Sequence, residues 1–173
     1  VNDNCEHYIF EKKNVKLIIT ESDNNNDILL WDKIDVGRLA KEFYSGKPFK
    51  HIVLDKVINE DLLELAYKEI TSISKNNFFN TIVIGMPEVQ VNKYALTNFD
   101  GLKYIVQIKN YLESDYFLKI LEKVTGIDNL QKDPTNNGGG LHFINYNGKL
   151  NIHSDFNRHK ASKKYRRLNL LLY

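Results

Sequence analysis

Cysteine is almost absent: the 173 residues hold one, Cys5. No intramolecular disulfide can form, so a reducing, cytoplasmic compartment is expected. An excess of one charge is missing as well. Lys and Arg number 24 against 22 Asp and Glu, a formal net charge of +2. That balance argues against a dedicated nucleic-acid binder, which carries a marked basic excess. No apolar run approaches the roughly 20 residues of a membrane span, so no membrane partner is expected. No charged-then-apolar signal pattern is visible, and there is no internal repeat. The run Gly138-Gly139-Gly140 lacks the Lys-Ser/Thr that completes a phosphate-binding loop and reads as a flexible entry to the segment starting at Leu141.

What is present suffices for one domain with a real core. Hydrophobic residues make up 42% of the chain, with nine Phe, ten Tyr and one Trp. VKLIIT (15–20) is a short β-like run, and the Asn-rich ESDNNND (21–27) is too polar to bury itself and reads as a linker, with Trp31 expected to anchor it. Ile34, Val36, Leu39, Ala40 and Phe43 recur near helical spacing until Gly46 and Pro48. HIVLD (51–55) has the look of a buried strand. Asn59 stands where it can cap a helix whose Leu62, Leu63, Ala66 and Ile70 form one apolar face. TIVIGMP (81–87) suggests a strand. Two further helices are expected over 104–111 and 114–125, the second ended by Gly126.

From Leu141 the period changes to two. LHFINY, Asn147-Gly148 and KLNIHSD read as a β-hairpin with a two-residue turn, and RRLNLLLY (166–173) as another strand. Helices followed by antiparallel strands give an α+β expectation. The chain starts on Val and stops on Leu-Leu-Leu-Tyr in what reads as mid-strand, so a fragment of a longer protein is expected.

Residues two apart in a strand point to the same face. His153 and Asp155 therefore project together, and a neutral imidazole beside a carboxylate supplies two parts of a 2-His-1-carboxylate facial triad. Alone, His-x-Asp is common and is as well explained by a sheet-edge His and a turn Asp. The surrounding pieces carry more information: PFKHIVLDKVINEDLLE (48–64), YFLKILEKVTGIDNL (116–130), GGGLHFINYNGKLNIHSDFNRH (138–159) and YRRLNLLLY (165–173). In order and spacing they resemble the iron(II)- and 2-oxoglutarate-dependent oxygenases, in the prolyl-4-hydroxylase-like branch.

The resemblance implies supporting helices followed by a double-stranded β-helix, a jelly roll, incomplete at its C-terminal end. Residues 1–47 would then be an N-terminal extension and linker with a short helix, and 48–173 the N-terminal part of the oxygenase domain. It implies Fe(II) held by His153 and Asp155, 2-oxoglutarate and dioxygen as co-substrates with ascorbate as an accessory reductant, and hydroxylation of an unactivated C–H bond with release of succinate and CO2. By position, Arg166 matches a basic residue opening the next core strand, and Tyr173 a tyrosine that binds the co-substrate. Asn169 and Leu171 share the Tyr173 face, and Tyr146 matches a second co-substrate tyrosine. The substrate could be a peptidyl proline, an amino acid or a sugar-linked metabolite. Leu150 stands where many prolyl hydroxylases have Tyr, which leaves that class open.

The family's second His ligand has no counterpart, because no His follows His159, which is expected in a turn rather than at iron. His142 is expected to line the sheet without binding metal, and His51 to start a strand. The basic run from Arg158 to Arg167 reads as a solvated loop. A non-catalytic binding module on the same fold is the alternative, and a sugar-binding jelly roll a third possibility.

Overall fold

The computed structural model describes residues 35–73, 79–80, 89–133, 135–136 and 139–173. The expected strands at 15–20 and 81–87, the Asn-rich linker, Trp31 and Cys5 lie outside the described residues. Within them the fold mixes four helices with a small, open antiparallel sheet, in the order α1 (Val36–Ser45), α2 (Glu60–Ser72), β1 (Phe79–Asn80), β2 (Gln90–Leu96), α3 (Lys103–Leu112), α4 (Asp115–Thr125), β3 (Leu141–Leu150). The α+β expectation holds at this level. A jelly roll is not seen among the described residues.

The helices begin and end where local chemistry dictates. Asp35 Oδ1 accepts from Arg38 N at 2.9 Å, opening α1, and Gly46 closes it. Asn59 Oδ1 accepts from Asp61 N and Leu62 N at 2.9 and 3.2 Å, satisfying two of the orphan donors of α2. Ser114 Oγ accepts from Phe117 N, and α4 stops at Gly126, whose φ of 68° is left-handed. The apolar faces meet in one core around Leu39, Phe43, Leu62, Ala66, Ile108, Phe117 and Val124. The segment 51–55 gives Ile52 to this core but joins no strand of the sheet.

Two polar contacts pin helix to helix. Tyr44 Oη donates to Thr125 O at 2.8 Å, tying α1 to the carbonyl end of α4. Glu69 Oε2 accepts from both Tyr104 N and Ile105 N at 2.9 Å, so a carboxylate from α2 caps α3, whose own N-cap, Leu102, has no side chain for that task.

The sheet departs most from the sequence-based expectation. Its order is β1-β2-β3, and β3 pairs antiparallel with β2 instead of folding back on itself. The register runs Leu96↔Leu141, Ala95↔His142, Tyr94↔Phe143, Lys93↔Ile144, then resumes at Val91↔Lys149 and Gln90↔Leu150. Residues 145–148 are thus accommodated opposite the single residue Asn92, and both Asn92 and Asn147 take positive φ (49° and 58°). Of the Asn-Gly pair only Asn147 takes the left-handed geometry a two-residue turn would need at both positions, and it does so in an irregularity within a continuous strand. Space at Gly148 is already filled: an added Cβ would lie 2.6 Å from Ile144 Cγ2. In place of the expected hairpin, β3 takes β2 as its partner on both sides of the irregularity, from Leu141 to Leu150. At the other corner Gly140 (φ 108°) passes so close to Leu96 O that a Cβ would stand 2.5 Å from it.

Because Glu69 accepts two backbone donors, Glu69→Ala should lower unfolding stability by about 1–3 kcal/mol. Glu69→Gln, which keeps an acceptor, should lose less. Urea denaturation checks this; an unchanged midpoint in Glu69→Ala would remove the capping role.

Candidate functional site

Past Leu150 the ladder gains one more bond, Asn151 N to Val89 O at 2.8 Å. The strand expected through His153 and Asp155 does not continue: residues 151–156 are in no regular strand. Ile152 projects fully into solvent, while His153 and Asp155 turn toward each other, with Nε2 3.4 Å from Oδ1. The shared side anticipated for this pair is present.

His153 Nδ1 lies 2.8 Å from Asn151 O. A carbonyl can only accept, so Nδ1 carries a proton, and in the neutral ring the Nε2 lone pair faces Asp155. Two acceptors confronting each other at 3.4 Å repel unless a proton or cation lies between them. The gap is less than twice the ~2.1 Å of a typical metal–nitrogen or metal–oxygen bond, so one ion can touch both. An imidazole nitrogen with a carboxylate oxygen suits a first-row divalent ion such as Fe(II). Among the described residues no group of three His, Cys, Asp or Glu side chains converges, so they provide two ligands of such a site.

The other carboxylate oxygen is occupied. Arg166 Nη1 donates to Asp155 Oδ2 at 2.7 Å, and its guanidinium stacks 4.4 Å above the Phe156 ring. A short hairpin delivers Arg166 to this point: Arg166 N donates to Asn157 O, Arg158 bridges Tyr165, and His159 N donates to Lys164 O. His159 closes the turn. Its Nδ1 accepts from Ser162 N at 3.0 Å, and its Nε2 stands 3.1 Å from Thr135 Oγ1 and 3.8 Å from Asp133 Oδ1. Both ring nitrogens are engaged, in keeping with the turn role expected of it. The basic run 158–167 is largely exposed, with Arg166 turned inward.

The sheet lends two more groups. Lys93 and Ala95 share one face of β2, and their partners Ile144 and His142 share the same face of β3. Partial burial pushes the Lys93 ammonium below its ordinary pKa, while the Asp155 charge pulls the other way. The His142 imidazole is lowered by partial burial and by Lys93, against opposing effects of Gly139 O at 3.3 Å and Asp155. Sequence reasoning missed Lys93 entirely. Its only signal was a lysine two places before buried Ala95 in QVNKYAL, and that strand itself went unrecognised.

Two of the remaining candidates are open to solvent. Tyr146 and Tyr173 are 86% and 83% exposed and make no hydrogen bond to His153, Asp155 or Arg166. Asn169 is half-buried. Leu168 and Leu170 pack against the helical core, and no regular strand is assigned between Arg166 and Tyr173. His51 stays near Phe49, its Nδ1 2.9 Å from Phe49 O, without a sheet partner.

Arg166 leaves Asp155 one free oxygen and fixes its direction, so Arg166→Met should weaken Mn(II) binding about 10–100-fold, as loss of outer-shell partners does. Calorimetric titration of Mn(II) measures it; equal affinity in wild type and variant would exclude the orienting role. Among the described residues no helix is long and apolar enough to cross a membrane. Comparison with protein families, curated proteins and solved structures found no match.

Proposed function

We propose that the chain is the part of an Fe(II)- and 2-oxoglutarate-dependent dioxygenase, prolyl-hydroxylase-like, that carries the first two iron ligands, and that its sheet belongs to a double-stranded β-helix. The observation supporting this is the approach of His153 Nε2 to Asp155 Oδ1 at 3.4 Å with the opposite ring nitrogen tied to Asn151 O. That arrangement leaves a lone pair and an anionic oxygen facing a common point.

When bound, iron with 2-oxoglutarate and dioxygen supplies the oxidising power to hydroxylate an unactivated C–H bond, with succinate and CO2 released. The chain's own part is to hold and to orient. His153 and Asp155 grip the ion. The Asn151 carbonyl keeps the imidazole in the ligating tautomer. Arg166 occupies Asp155 Oδ2 and so confines the carboxylate to a single contact, which keeps further positions open to exchangeable ligands. Phe156 shields the guanidinium from water. Tyr173, Asn169 and Tyr146 are the proposed co-substrate contacts, ascorbate the accessory reductant, and a peptidyl proline, amino acid or sugar-linked metabolite the substrate.

A second reading, a non-catalytic binding module on the same fold, draws support from the pair of ligands standing without a convergent third among the described residues. Succinate separates the two. The complete protein with Fe(II) and 2-oxoglutarate should form succinate, and Asp155→Ala should reduce this to background. Undiminished turnover in the variant would dispose of the dioxygenase, and no iron-dependent succinate from the wild type would favour the binding module.

A further inference from the structure

Six of the ten residues from Arg158 to Arg167 are Lys or Arg, and none is acidic. With those six set aside, the remaining Lys and Arg of the 24 are outnumbered by the 22 Asp and Glu. The positive charge of the chain is therefore concentrated in one short segment. That segment is folded as a hairpin. Arg158 bridges Tyr165, His159 N donates to Lys164 O at 2.8 Å, and Lys163 N donates to His159 O at 2.9 Å. Arg158, Lys160, Lys163, Lys164 and Arg167 are exposed, and among the described residues none of them has a carboxylate within 4 Å. Asp133 and Asp155 touch the hairpin, but at His159 and Arg166. Like charges crowded on so small a unit repel one another, and an anion laid across them relieves the repulsion. The tip carries a second cost. Lys163 takes φ 59°, a left-handed conformation in which Gly or Asn would be relaxed. A lysine held there keeps its ammonium at the tip against the local preference of the turn.

We propose that this hairpin is a docking surface for an acidic polypeptide segment, a short run rich in Asp and Glu on a partner protein. The surface goes beyond the dioxygenase reading and needs no metal. Each arm of the hairpin is about 15 Å long, so a partner run of about five extended residues matches it. Single-stranded nucleic acid fits less well, because it is held by a basic groove with several rings for its bases. Tyr165 is the one aromatic residue between Arg158 and Arg167, and the Arg158 guanidinium lies over its ring at 5.7 Å. A long polyanion running past the hairpin also meets a chain whose remaining charge is negative. An anionic bilayer calls for apolar side chains that enter it, and the tip, Lys160-Ala161-Ser162-Lys163, has none larger than Ala. Arg166, at the base of the hairpin, holds Asp155 at 2.7 Å, so a docked segment is gathered on the side of the molecule that carries His153 and Asp155.

The test is fluorescence anisotropy of a short labelled peptide of alternating glutamate and serine, mixed with the full chain in the absence of metal. An oligouridylate of equal length and phosphatidylcholine vesicles containing phosphatidylserine are the comparison probes. The variant Lys160→Glu/Lys163→Glu reverses the tip. Lys41→Glu/Lys119→Glu makes the same change of net charge at exposed positions of α1 and α4. Wild type should bind the peptide at low salt and release it at high salt. The tip variant should bind about tenfold or more weakly, and the helix variant within about twofold of wild type. Thermal melts confirm folding. Should charge reversal lower the melting temperature, Lys160→Gln/Lys163→Gln carries the comparison, with a loss of about threefold expected. Wild type that does not bind the peptide overturns the proposal, as does an equal loss in the tip and helix variants. Tighter, tip-dependent binding of the oligouridylate or the vesicles overturns it too, since the partner is then of another class. The dioxygenase reading fails separately, by the absence of iron-dependent succinate.

Discussion

The contact between Arg166 and Asp155 is the one on which the geometry of the site depends. As a part-exposed ion pair it contributes only about 1 kcal/mol to folding. Its consequence is directional. With Oδ2 taken at 2.7 Å, Asp155 offers Oδ1 alone, and Oδ1 points at His153 Nε2. The pair also closes the hairpin between Asn157 and Arg166, so the loop that carries so many exposed lysines is anchored at its base by one inward arginine.

The scaffold beneath is organised to hold that loop in place. The helices form the core, which the sheet touches through Leu141 and the segment after Arg166 through Leu168 and Leu170. Glu69 caps the start of α3 and Tyr44 binds the last carbonyl of α4, by contacts that also fix α2 on α3 and α1 on α4. The irregularity opposite Asn92 shifts the register of the second half of β3. It therefore decides on which side of the sheet the chain leaves toward His153. A slip of one residue there would exchange the faces of every later side chain in the strand.

Electrostatics and tautomer assign complementary tasks to the clustered side chains. The carbonyl at Asn151 leaves the imidazole a lone pair, and Arg166 leaves the carboxylate one oxygen.

Sequence alone determined whatever is settled within about one helical turn. Asn59, Ser114 and Gly126 act on backbone groups two to four residues away, so helix boundaries and apolar faces were legible. The shared side of His153 and Asp155 was legible for the same reason, because two successive peptide units suffice to alternate side chains. Tertiary structure decided the rest. Whether Asn147-Gly148 turns a hairpin or is absorbed in a strand depends on β2, whose Gln, Asn and Lys hide its alternation and whose partners lie far along the chain. The capture of Oδ2 by Arg166 likewise depends on residues eleven apart being brought together, which no local preference encodes.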